Sequence, residues 1–130
     1  MPQPRAIVPD SGAVRPCFNT SGSTHPKYRL LKKSNTAVDA TVLATNGAAL
    51  IYAATMAAIP DGFAGDGQVE GRALVEAGGA IGIGVEITAG SGGKAAVAAA
   101  GDYIFGVSAS AAGADGEVIE VDVVRGIKHA

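Results

Sequence analysis

A chain of 130 residues with a formal net charge of −2 has the size of one domain, or of one small domain with an arm. It holds one cysteine, Cys17, and two histidines, His25 and His129. That inventory excludes an internal disulfide and a cysteine-based metal site, and it leaves little for histidine-based catalysis.

In chain order, residues 1–35 carry six basic side chains against a single acid, Asp10, and five of the six prolines. With the NTSGST run at Asn19–Thr24, this composition predicts an extended basic arm over 1–35 with no core of its own, ahead of a β-rich body over 36–130. The body carries four basic residues against eleven acids, so opposite charge on arm and body favours association between copies. Met1 is followed by PQPRAIVPD, which is not a charged cap on an apolar core, so no secretory signal is expected. The longest apolar run, Gly47–Ile59, is too short to span a bilayer, and no membrane partner is expected.

TVLAT at Thr41–Thr45 reads as a short strand, and Asn46-Gly47 after it as a hairpin turn. Ala48–Ala58 fits a strand or a helix and stops at Pro60-Asp61-Gly62. Gly65-Asp66-Gly67 reads as a turn, followed by QVEGRALVEA as a strand that contains a glycine. Ile81, Ile83, Val85 and Ile87 alternate with Gly82, Gly84, Glu86 and Thr88, a period of two that predicts a half-buried strand. Gly82 and Gly84 would then lie on its outer face, where another backbone can come close. Ala89–Gly93 is a turn, and AAVAAA follows it. Tyr103, Phe105, Val107 and Ala109 alternate with Ile104, Gly106 and Ser108. After a turn at Ala114-Asp115-Gly116, Ile119, Val121 and Val123 alternate with Glu120 and Asp122. Short strands separated by turn signals make this a mainly β protein: a small β-barrel or β-sandwich, tulip-like body with an extended N-terminal arm. A faint repeat links Thr45–Ala54 to Gly90–Ala100, and Gly65–Gly78 to Ala114–Gly126, which suggests two related β units.

The glycine-rich stretch is not a phosphate loop. Gly93-Lys94 supplies the GK of a Walker motif, but Thr88 and Ala95 stand where the first glycine and the metal-binding hydroxyl belong. The dinucleotide fingerprint lacks its third glycine after Gly82 and Gly84. No cofactor is expected. Cys17 and His25 share the arm, with no third group to orient them as a nucleophile–base pair. Glu120 and Asp122 read as solvated surface carboxylates. The cluster Lys27, Arg29, Lys32, Lys33 holds only Tyr28 as an aromatic and precedes an acidic body. An acidic protein surface is therefore a better partner for it than nucleic acid.

From Ala73 to Gly126 the chain reads ALVEAGGAIGIGVEITAGSGGKAAVAAAGDYIFGVSASAAGADGEVIEVDVVRG. Its VEAGGAI segment leads to a glycine-spaced strand. The AGDYIFGVSASAA segment comes next, and then a Gly/Asp turn with an alternating VxV strand. In these pieces, over roughly residues 69–126, the sequence resembles the capsid cement or decoration proteins of tailed bacteriophages. The basic, proline-rich arm before a β body is similar in layout to lambdoid decoration proteins. The resemblance implies a non-enzymatic virion protein, made in the host cytoplasm, on the outer surface of an expanded head. Its partners would be the major capsid protein and itself, as a homotrimer that clips neighbouring shell subunits together. Candidate contact residues are Arg5, Arg15, Lys27, Arg29, Lys32 and Lys33, with Gly82, Gly84 and Asp102 from the body. Two other readings are a carbohydrate- or host-surface-binding β module and a small hydrolase using Cys17 or an acid pair.

Overall fold

A computed structural model describes residues 13–130. Its first five strands are β1 (Val14–Asn19), β2 (Leu30–Lys33), β3 (Ala40–Leu43), β4 (Ile51–Thr55) and β5 (Ala64–Gln68). They close into a barrel in the order β1-β3-β2-β4-β5, with β1–β3 parallel and the other pairs antiparallel. The next five are β6 (Arg72–Glu76), β7 (Glu86–Ala89), β8 (Ala95–Val97), β9 (Tyr103–Ser108) and β10 (Val118–Lys128). They form a sheet in the order β6-β10-β9-β7-β8, whose two edges meet at one parallel bridge, Ala77–Ala95. Taken round the ring, the two strand orders coincide, each strand of the first set matching the one five places later.

The correspondence extends to single atoms. Thr55 Oγ1 accepts the Arg29 N–H at 2.9 Å and donates to the Pro26 carbonyl at 2.7 Å. Ser108 Oγ accepts the Val85 N–H at 2.9 Å and donates to the Gly82 carbonyl at 2.6 Å. His25 and Ile59 exchange two backbone hydrogen bonds, as do Ile81 and Ala112. Tyr28 and Gly84 share a left-handed backbone, with φ of 63° and 77°. The described residues form two copies of one five-stranded unit. The register differs from the one suggested by sequence, because alanine and glycine runs match one another at several offsets. The hydroxyl and left-handed positions fix the true offset. Thr55→Ala and Ser108→Ala should each cost about 1–3 kcal/mol, because each leaves a partly buried N–H and a carbonyl without that partner. Urea unfolding of the two variants tests whether the costs match.

Neighbouring side chains on β2 serve different cores, since alternate residues of a strand face opposite sides. Leu31 joins Cys17, Ala53, Ile59 and Val69 inside the barrel. Leu30 joins Ile51 and Ala54, and all three pack against Val75, Ile87, Phe105, Ile119 and Val121 of the second unit. The two units therefore share a core.

Several sequence expectations give way here. The arm predicted over 1–35 becomes two barrel strands from Val14 onward, with Cys17, His25, Leu30 and Leu31 fully buried. Residues 1–12 lie outside the described residues. Pro16 is tolerated because it sits where β1 has only β5 as a neighbour. Gly65-Asp66-Gly67 is no turn but the middle of β5. A Cβ on Gly67 would lie 2.6 Å from both Ala53 Cβ and Cys17 Sγ, so the glycine makes room for barrel packing. Asn46-Gly47 begins a crossover and not a hairpin, since β3 and β4 lie on either side of β2. Ala48–Ala58 resolves as strand β4. The strand expected over Ile81–Thr88 starts only at Glu86, and Gly82 and Gly84 belong to the turn before it, with Ile83 70% exposed. The left-handed Gly84 and the Ser108 hydroxyl hold that turn, and the period-two pattern imitates a strand.

Candidate functional site

Basic side chains of the first unit line its surface. Arg15 is exposed on β1, Lys32 is half-buried on β2 and Lys33 is exposed beside it. Lys27 is exposed at the turn before β2, with its ammonium 4.7 Å from the Tyr28 ring centre. Arg5 falls outside the described residues. Arg29 turns inward: its guanidinium donates to the Gly92 carbonyl at 3.0 Å and pairs with Glu76 at 3.2 Å. Glu76 also meets Lys94 at 3.3 Å, and Lys94 reaches Asp115 at 2.9 Å. The two acids hold the Lys94 ammonium above its ordinary pKa, and Lys94 holds Asp115 below the usual carboxylate range. This chain of charges ties the first unit to the second.

The same chain borders a groove of about 500 Å³. One wall is Gly78, Gly79, Ala80 and Ile81, and the other is Ser91, Gly92 and Lys94 through Val97. No sequence motif singles out Glu76, Lys94 and Asp115 as one charge cluster. The one local signal is Lys94 directly after a glycine run. Among the body candidates, Asp102 accepts the Ala99 N–H at 2.9 Å. Its side chain fills the space that a Cβ on Gly47 would need. The Gly82 carbonyl is taken by Ser108, and Gly84 lies exposed in its turn. The nine candidates therefore do not form one cluster: the lysines and Arg15 belong to the first unit's surface, and Arg29 and Asp102 make internal contacts.

Cys17 and His25 do not form a pair. Burial, with Asp66 and Asp39 nearby, pushes the Cys17 thiol up to about 12, so it is protonated at neutral pH. The His25 Nε2 lies 3.2 Å from both the carbonyl and the hydroxyl of Thr41, and its Nδ1 is buried without a partner. Burial lowers the His25 pKa below 6.5, against the opposing pull of the Thr41 carbonyl and Asp61. The folded state therefore binds this proton more weakly than the unfolded chain does. Its stability is complete above the ordinary imidazole range and falls as pH drops through that range toward the folded value. Urea midpoints measured from pH 8 to pH 5 should decline at the acidic end. His25→Ile, which installs the residue found at the matching position 81, should flatten that decline.

No family model and no curated protein matches the chain. Among solved structures it is similar to the N base of head fiber gp8.5 of bacteriophage phi29, with a TM-score of 0.70 and 18% identity. The alignment covers 89% of this chain and 98% of that one, so what the two proteins share is the fold of the entire base.

Proposed function

We propose that this chain is a structural protein of a phage head, bound on its outer surface as a decoration protein. The observation that carries the reading is the fold shared with nearly the whole of a phage head-fiber base. The phage-like pattern over residues 69–126 points the same way. In this reading the chain is no enzyme and takes no cofactor. Its partners are the major capsid protein and further copies of itself, as a homotrimer that clips shell subunits together. Arg15, Lys27, Lys32 and Lys33 face acidic patches of the shell. Nucleic acid and membrane are not partners.

The same neighbour favours a second reading, in which the body is an anchoring base that holds an appendage to the head. The carbohydrate-binding reading has less support. Tyr28, Tyr52 and Tyr103 each carry a lysine ammonium over the ring, at 4.7, 4.7 and 4.8 Å, where a sugar would stack. Copy number in gradient-purified particles separates the readings. A ratio near one copy per shell subunit supports the clip, and a smaller fixed number supports the base. Absence from particles refutes both.

A further inference from the structure

The two loops that border the groove beside β8 have counterparts in the first unit, where they are longer and bonded to each other. In the first unit Thr20–Thr24 follows β1, and Ser34–Asp39 joins β2 to β3. Thr36 Oγ1 donates to Thr20 Oγ1 at 3.2 Å, and the Gly22 N–H donates to Asp61 Oδ1 at 2.9 Å. β1 then registers with β3 at two positions, Phe18–Ala40 and Asn19–Thr41. In the second unit the corresponding loops shrink to Gly78–Ala80 and Gly90–Lys94, and the strands meet only at Ala77–Ala95. Asp115, the counterpart of Asp61, is 64% exposed and receives the Lys94 ammonium where Asp61 receives a backbone N–H.

The edge of β8 is open beyond that bridge. Gly90 N–H bonds to the Lys94 carbonyl, and Ala98 N–H bonds to the Glu86 carbonyl. Alternation along an antiparallel ladder then makes Thr88–Ala96 a hydrogen-bonded pair and turns the N–H and carbonyl of Val97 outward. The Val97 side chain is 53% exposed. Glycine and alanine walls allow a second backbone to come within hydrogen-bonding distance of this edge.

We propose that this groove receives an extended segment of a shell protein, built of small uncharged residues, which adds as a strand along β8. The inference rests on the head-binding reading above. The bare walls at Gly78–Ala80 and Ala95–Ala96 leave room for small side chains, and Asp115 stands where Asp61 accepts the Gly22 N–H. A charged segment fits less well, because Arg29, Glu76, Lys94 and Asp115 already neutralise one another. Main-chain bonds to the edge supply affinity, and the bare walls select small side chains.

Two variants test it by co-sedimentation with heads purified without this protein. Gly79→Trp fills the groove from a position where a Cβ meets nothing within 4 Å and φ is not left-handed. Val97→Pro removes the outward N–H from an edge strand, a position where proline is tolerated. Each should weaken head binding about tenfold or more while thermal unfolding shows an intact fold. A folded Gly79→Trp protein that binds heads like the unmodified chain overturns the groove proposal. Heads that fail to bind the unmodified chain overturn the function proposed above, and the shell occupant with it. If the variants instead lower the mass of the free protein in sedimentation, the occupant is a second copy, and the shell-segment proposal is wrong.

Discussion

Deleting residues 1–26 is expected to abolish cooperative unfolding, whereas a deletion that stops at residue 12 is expected to preserve it. The longer cut removes β1, which runs antiparallel to β5 from Val14–Gln68 to Phe18–Ala64 and closes the barrel onto β3. It also removes Cys17, Asn19 and His25, all fully buried. Asn19 is a hub for its surroundings: its amide donates to the Ser23 and Ile59 carbonyls, both at 2.7 Å. Without it, the Ile59 carbonyl and the open edges of β3 and β5 would be left unpaired, and an unpaired buried polar group costs about 1–3 kcal/mol. Against a total stability of about 5–15 kcal/mol, the loss of a whole strand exceeds what the rest can hold. The shorter cut leaves every described strand in place. Far-ultraviolet circular dichroism with urea melts checks both. A sharp transition in the 1–26 deletion would show that β1 is not needed to hold the barrel.

Phe105→Ala should cost roughly 3–5 kcal/mol, the range for emptying a buried aromatic site. Among the described residues Phe105 is the largest fully buried side chain, and its cluster includes Leu30 and Ile51 of the first unit as well as Val75, Ile87 and Ile119 of the second. Because that core belongs to both units, the variant should still unfold in one transition, at a much lower midpoint. Two separated transitions would mean that the units are independent. The matching position in the first unit is Tyr52, half-buried with its hydroxyl 3.4 Å from the Pro16 carbonyl. Tyr52→Ala should therefore cost less than Phe105→Ala, and calorimetry of the pair would show the difference.

The sequence by itself determined the β class, the two final strands and the turn at Ala114–Gly116. These are local signals. Ile119 and Val121 alternate with Glu120 and Asp122, and in β10 the first pair is buried while Glu120 and Asp122 reach outward to Arg72. The tertiary structure alone decided where the first unit begins, because an extended, proline-bearing segment reads the same as an arm or as a strand with an open side. It decided that Gly65 and Gly67 belong to a strand, because the atoms that would collide with their side chains come from Ile59, Ala53 and Cys17 on other segments. It set the register of the repeat through hydroxyl bonds that join Thr55 to Pro26 and Ser108 to Gly82. It also turned Arg29 inward to Glu76 and Gly92, and it opened a groove beside β8 in the second unit. Each of these depends on partners far apart along the chain, and a local pattern of residue types carries no information about such pairings.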